Sequence, residues 1–312
     1  MKKLLNLKRI RTYSLKIRPS KVHEQALAHP QGPGARFKDF WGGLPHVLAA
    51  QQLKDLVQAL IQAKKAGRTT LLMFGAHLIK CGLSPMVVDL MKRGWIKAIA
   101  TNGASTIHDF ELSMAGKTSE DVLEGLKDGS FGMARETGQF INSTVVRAAR
   151  QGRGLGEILG ERIHKSSFAH KNISLFGTAY ALGLAATVHA AIGTDIVHQQ
   201  PGCDGAAWGK ATYTDFIRLA TVVSGLDRGV VLNFGSAVIL PETFLKALTI
   251  ARNLGHRVGR ITAANFDMLP QYRPRVNVVQ RPTAGGGQGY LFSGHHEIMF
   301  PLLYQALVES QG

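Results

Sequence analysis

The stretch Leu71 to Phe110, LLMFGAHLIKCGLSPMVVDLMKRGWIKAIATNGASTIHDF, restricts the fold of this chain more than any other. An apolar run, Leu71 to Phe74, meets Gly75. Ser84-Pro85 opens a helix with Met86, Val87, Leu90 and Met91 on one face, and Gly94 stops it. Ile96 to Ala100 is a second apolar strand, followed by the turn Thr101-Asn102-Gly103-Ala104-Ser105. A strand–helix–strand unit of this kind closes right-handed with its strands parallel, and ligands bind beyond their C-terminal ends. The second turn therefore lies where backbone N–H groups at a helix start can meet a phosphate.

The remaining sequence alternates helices and strands without a repeat. An amphipathic helix, Leu48 to Lys65, precedes the central unit. Helices are expected from Thr118, over Phe131 to Arg150, near the end of residues 152–165, and over Ile173 to Gly183. A strand over Ala186 to Ile192, a loop over 199–210 and a helix over Tyr213 to Val223 follow. Strands are then expected at Val230 to Phe234, Arg260 to Ala264 and Val276 to Val279, with helices at Pro241 to Leu254 and Glu297 to Val308. Residues 281–296 read as loop. This order predicts a doubly wound, mostly parallel α/β sheet in one domain, 47–312, behind an arm and Pro/Gly-rich linker, 1–46.

Composition narrows the setting. No apolar run reaches the 18 residues a membrane helix needs, so no membrane partner is expected. Two distant cysteines, Cys81 and Cys203, make no disulfide framework and fit a reducing, cytoplasmic compartment. The net charge of +16 is uneven: Lys2, Lys3, Lys8, Arg9, Arg11, Lys16, Arg18 and Lys21 precede the first acid, Glu24. Three readings of this arm stay open: a solvated tail, a contact for nucleic acid or an acidic protein, and an organelle transit segment. Leu4-Leu5 is too short for a secretory core.

Candidate site residues fall into groups. Gly75, Asn102, Gly103 and Ala104, with Gly235-Ser236 after the 230–234 strand, lie at strand ends and suit a cofactor crevice. Gly285-Gly286-Gly287-Gln288-Gly289, near Arg273, Arg275 and Arg281, has the flexible N–H groups and guanidinium forks that an anion uses, or is a mobile surface loop. Among the histidines, His189, His198, His295 and His296 stand out, with Asp195 three residues before His198. None has metal-ligand spacing, and Cys203-Asp204 lacks a second pair, so no metal is expected. Lys210, if desolvated beside Trp208, would serve as an amine nucleophile; the alternative is a surface charge.

FGAHLIKCGLSPMVVDLMKRG, ATNGASTIHDF, NFGSAVILPETFLKA and MFPLLYQAL occur in an order and spacing that resemble the deoxyhypusine synthase family from about residue 36 onward. The resemblance implies a Rossmann-like, NAD-binding subunit, assembled as a homotetramer with sites at subunit interfaces. Family members oxidise spermidine with NAD and pass an aminobutyl group through an enzyme lysine; a related branch makes homospermidine. Four positions depart from that pattern. Ile107-His108-Asp109 stands where the family has Glu-Glu-Asp, leaving Asp109 as the one substrate acid. Pro241-Glu242 replaces a histidine pair, and residues 283–288 replace an Asp-Gly-Ser-Asp loop. No lysine follows Lys246, although Trp208-Gly209-Lys210 repeats the family's lysine tripeptide about 90 residues before the FPLL segment.

The expectation is therefore an NAD-dependent enzyme for a small-molecule substrate other than spermidine. His198, His108 and Lys210 are the candidate proton or amine groups, and Asp109, Asp195, Arg281 and Gly286 the candidate substrate contacts. Two alternatives are an aminobutyl transferase using Lys210 and a non-enzymatic binder of nucleic acid or an acidic partner.

Overall fold

The computed structural model describes residues 3–310; Lys2 of the basic arm and Gly312 at the domain's end lie outside the described residues. The chain divides into two compact units between Gln52 and Leu53. In the first, single turns at Leu7–Arg9, Leu15–Ile17 and Glu24–Ala26 precede helix α1, Phe37–Gly43. This helix lies inside the stretch expected as linker. Asp39 accepts the Arg36 N–H (3.0 Å) at its start, and Phe37 stacks on Trp41 (5.9 Å) along its side. Residues 3–18 are exposed throughout.

Helix α2, Leu48–Lys65, runs across the division, and from Leu53 onward it belongs to the second unit. Its buried stripe there is Leu53, Leu56, Val57, Leu60 and Ala63, the helical spacing read from sequence. Then follow β1 (Thr70–Phe74), α3 (His77–Lys80), α4 (Ser84–Lys92), β2 (Ala98–Asn102) and α5 (Gly103–Ala115). Next come α6 (Val122–Asp128), α7 (Arg135–Gln151), α8 (Leu155–Lys165), α9 (Leu175–Ala181), β3 (Ala185–His189), α10 (Gly205–Ser224), β4 (Val230–Phe234) and α11 (Ile239–Asn253). The chain finishes with β5 (Thr262–Asp267), α12 (Arg281–Thr283), β6 (Gln288–Ser293) and α13 (His296–Glu309).

The six strands among the described residues are all parallel, in the order β3-β2-β1-β4-β5-β6. Leu72 sits between Ile99 and Leu232, which fixes the register of the central three. Side-chain alternation loads both faces. Leu71, Met73, Ala98, Ala100, Val231 and Ala263 pack with α10, α11 and Val278 on one side. On the other, Phe234 stacks on Phe266 (4.3 Å), Phe266 on Phe292 (4.6 Å), and Phe300 of α13 closes edge-on against Phe234 (5.1 Å). Each fully buried side chain of this size contributes roughly 1.5–3 kcal/mol. The protein is thus a Rossmann-like α/β fold with a parallel, doubly covered sheet.

Two expectations for the C-terminal region are corrected. Val276 to Val279 is no strand: Pro274–Gln280 is a wide helical segment in which the Arg281 N–H reaches back to the Val276 carbonyl. Its β-branched valines are buried against α11 and β5, and burial outweighs their strand preference. The last strand is β6, inside the stretch read as loop. It is an edge strand, exposed at most positions, and its apolar run is short, Tyr290-Leu291-Phe292 between Gly289 and Ser293. The helix expected from Tyr213 begins earlier, at Gly205, where Asp204 accepts the Ala207 N–H (3.0 Å). The opposite edge, β3, is covered by side chains of α10. Asp215 accepts the outward Val188 N–H (2.9 Å), and Thr212 donates to the Val188 carbonyl (2.9 Å).

Candidate functional site

The strand order reverses between β1 and β4, and their C-terminal ends carry Gly75 and Gly235-Ser236. In sheets of this kind that reversal opens a crevice for ligands. The Gly75 N–H donates to the Phe234 carbonyl (3.0 Å) and the Gly235 N–H to the Phe266 carbonyl (3.1 Å), so both extend the ladder one residue beyond the strands. A Cβ on Gly75 would lie 2.8 Å from the Gly235 carbonyl oxygen. Gly235 has φ +65, and a Cβ there would meet the His296 imidazole at 2.6 Å. Backbone therefore lines this point, because no side chain fits. The Ser236 hydroxyl is committed to the start of α11, accepting the Leu240 N–H (3.2 Å).

Beside this point, β2 runs into α5. Asn102 caps the helix, its carboxamide oxygen accepting the Ser105 N–H (3.2 Å) and hydroxyl (2.9 Å). Thr101 ties the turn to β1 through the Phe74 carbonyl (2.8 Å). In front of Gly103 stands Asp195, so close that a Cβ on Gly103 would overlap its Oδ2 at 2.0 Å. That oxygen is buried without a hydrogen-bond partner. Burial pushes the Asp195 carboxyl up to about 6, against the pull of the Ala104 N–H.

His198 holds the loop that delivers Asp195. Its Nδ1 accepts the N–H groups of Gly193 and Asp195 (both 3.1 Å), which assigns the proton to Nε2. The ring meets Trp208 edge-on at 4.6 Å, Nε2 is buried without a partner, and burial lowers the imidazole's pKa.

His108 follows on the next turn of α5. Its Nδ1 lies 2.7 Å from the Thr118 hydroxyl, which donates to Glu111 (2.5 Å); Glu111 also accepts from Thr137 (2.9 Å). Burial, aided by Lys80, pushes His108 down to about 4. Lys80, Ala104, His108, Glu111, Glu120 and Asp195 line one cavity of about 170 Å³. The structure thus brings His108, Ala104 and Asp195 together, next to Asn102 and Gly103.

Four other candidates are placed elsewhere. Asp109 is fully buried, and its carboxylate accepts the Ser174 hydroxyl (2.5 Å) and the Leu175 N–H (2.7 Å). It fastens the start of α9 and presents nothing to a diffusing cation. Lys210 is exposed on α10. Trp208, two residues earlier, points into the core toward Asn142, since positions i and i+2 of a helix do not share a face. Lys210 is therefore not desolvated. Arg281 and Gly286 precede β6 and lie at the N-terminal end of the sheet, where the Gln288 N–H donates to the Ile261 carbonyl (3.0 Å). A parallel sheet puts them opposite the crevice.

His296 and His77 were not singled out for the crevice, yet both sit there. His296 is buried at the Gly235 turn, 5.9 Å from the His77 ring, and its Nδ1 has no partner. Burial lowers its pKa, reinforced by His77 and opposed by Asp267. The sequence signal was present: each histidine follows a strand by a few residues. Among the described residues no cluster of His, Cys, Asp and Glu could hold a metal, and no helix is long and apolar enough to cross a membrane.

No protein-family profile matches the chain, and no curated protein matches it in sequence. Solved structures do. The cyanobacterial arginine dihydrolase ArgZ matches with a TM-score of 0.51 at 15% identity, over 83% of this chain and 31% of its own. AgrE, in its ternary complex with ornithine and NAD+, gives 0.53 at 13%, over 83% of this chain and 33% of its own. An Entamoeba histolytica protein assigned as a deoxyhypusine synthase gives 0.51 at 10%, over 88% of this chain and 94% of its own. The chain spans about a third of the length of ArgZ and AgrE. At these identities the likeness establishes a shared fold.

Proposed function

We propose that the protein is an NAD-dependent enzyme acting on a small substrate other than spermidine. The close approach of Gly75 and Gly235 where the strand order reverses carries this reading. It brings main-chain groups together at the place where a dinucleotide lies in sheets of this order, with the His296 ring packed against the Gly235 turn. The residues present fit such a ligand. Gly103 and Ala104 open α5 behind the Asn102 cap, leaving main-chain N–H groups at a helix start. Gly75, Asn102, Gly103, Ala104, Gly235 and the Ser236 main chain would hold the cofactor, which supplies a hydride acceptor when bound. The structures of AgrE with NAD+ and of the Entamoeba protein support the reading at the level of fold. Spermidine chemistry loses support because Asp109 is committed to α9 and Lys210 is exposed.

Thermal unfolding with and without NAD tests this. One millimolar NAD should raise Tm by the amount a ligand binding only the native state produces, ~2.7 kcal/mol at a hundredfold excess over Kd. The absence of any shift would remove the cofactor from the proposal.

A second reading concerns the arm. Lys3, Lys8, Arg9, Arg11, Lys16, Arg18 and Lys21 are exposed and make no ion pair among the described residues, which favours contact with a polyanion such as nucleic acid. Binding to random RNA or DNA that weakens steeply with salt, and disappears when residues 1–22 are removed, is the expected outcome. The homotetramer implied by the family resemblance belongs to the same proposal and is read by sedimentation.

A further inference from the structure

The cavity beside α5 contains an arrangement that the cofactor reading does not use. Glu111 and His108 share one face of α5 at i, i+3 spacing, and Thr118 lies between them. The Thr118 hydroxyl has one proton, and the Glu111 carboxylate takes it. Its oxygen must then accept from His108, which places the imidazole proton on Nδ1 and leaves the Nε2 lone pair free. Glu111 and Thr118 thus act as positioning residues that fix one tautomer of a neutral histidine. Around the same cavity, Lys80 is exposed with no ion-pair partner among the described residues, while Glu120 is occupied by the Gly132 N–H (3.0 and 3.1 Å). Asp195 adds a carboxylate with one oxygen unpartnered. The uncommitted groups are therefore one cation, one carboxylate and one imidazole lone pair.

We infer that this cavity is the substrate subsite and that it takes an α-amino acid, with the carboxylate at Lys80 and the amino group between Asp195 and Nε2 of His108. A polyamine carries no anion for Lys80, and a plain carboxylic acid carries no donor for Asp195 and His108. The cavity's size, about 170 Å³, suits a ligand of several non-hydrogen atoms. On binding, the ammonium donates hydrogen bonds to Asp195 and to the Nε2 lone pair and keeps its protons, because burial and Lys80 hold the imidazole neutral. This deepens the proposed function and rests on it only for the later fate of the substrate carbon. The binding step involves this chain's residues alone.

Calorimetry on the full chain, with and without NAD, is the test, using alanine, glutamate and ornithine beside propionate and spermidine. At least one amino acid should bind tenfold or more tighter than propionate and spermidine. Lys80→Met and His108→Gln should each weaken that binding about tenfold while leaving Tm close to wild type. Thr118→Val keeps the shape but removes the hydroxyl, so nitrogen NMR of labelled histidine should show His108 losing its Nδ1–H form. Binding of spermidine in preference to every amino acid overturns the inference, as does unchanged binding in both variants or a His108 proton on Nε2 in the wild type. Should NAD bind and the amino acids not, the subsite alone fails. Should amino acids bind while NAD neither binds nor shifts Tm, the cofactor reading fails and the subsite stands.

Discussion

Two glycine-rich places in this protein sit at opposite ends of one sheet. At the C-terminal end, Gly75, Gly103 and Gly235 are each pressed against something: a carbonyl, the Asp195 carboxylate, the His296 ring. At the N-terminal end, Gly285 and Gly286 have almost nothing near them, although three arginines are close in sequence, whereas Gly287 and Gly289 press on the Ile261 carbonyl and on Val279. Glycine number and neighbouring cations therefore do not mark a site here. Crowding occurs at both ends; what sets the C-terminal end apart is that Gly75, Gly103 and Gly235 stand where strands finish and helices begin.

The sharpest way to break that contrast is to add a methyl group at each end. Gly235→Ala must hold a left-handed residue and displace His296, at a cost of about 2–4 kcal/mol in urea unfolding. Gly285→Ala has an ordinary φ and its nearest neighbour at 3.7 Å, and should stay within about 0.5 kcal/mol of wild type. Equal costs at the two positions would mean that the two loops are equally constrained.

Much of this was legible in the sequence because crowding at a strand end leaves a local trace. The β1–α4–β2 unit, the Asn102 cap and the Gly235 turn all follow from neighbouring residues. Asp195 and His108 were also named, but their meeting depends on the β3 loop folding back over α5, which no local pattern encodes. Asp109 shows the converse. The family resemblance implied a substrate acid there, whereas one residue along a helix turns a side chain about 100° from His108, enough to send it inward to Ser174. The arginine-rich glycine loop misled because its end of the sheet depends on whether Val276 to Val279 is the last strand. Buried valines in a wide helical turn look the same in sequence as buried valines in a strand.

A second prediction separates buried carboxylates from exposed ones. Asp195 has its carboxyl raised from 3.8 to about 6, so the native state holds more protons than the unfolded state between those values. Stability is then highest below pH 4 as far as this group is concerned, and falls as pH rises to 6. Asp195→Asn should therefore stabilise the protein at pH 7 by about 2 kcal/mol and leave it unchanged at pH 4. Asp39, lowered by its Arg36 contacts, lies at the surface of the first unit, and Asp39→Asn should show no gain at pH 7. A flat Asp195→Asn difference across pH 4–7 would show that the carboxylate is better solvated than its position beside Gly103 implies.

The smallest effects belong to Lys210 and Arg281, and their smallness discriminates between ends and faces. Lys210 points outward from α10, and its main-chain carbonyl accepts from the Thr214 hydroxyl. Lys210→Ala removes no packed atoms and keeps that bond, so unfolding should move by less than about 0.5 kcal/mol. The NAD-induced Tm shift should be unchanged, and borohydride reduction with a labelled polyamine should leave Lys210 unmarked. Arg281→Ala loses the 2.8 Å bond to Asn277 and should likewise leave the NAD shift intact, because the sheet's length separates it from the Gly235 turn. If either substitution abolished that shift, ligand binding would have to be moved from the strand ends to the surface that the altered residue occupies.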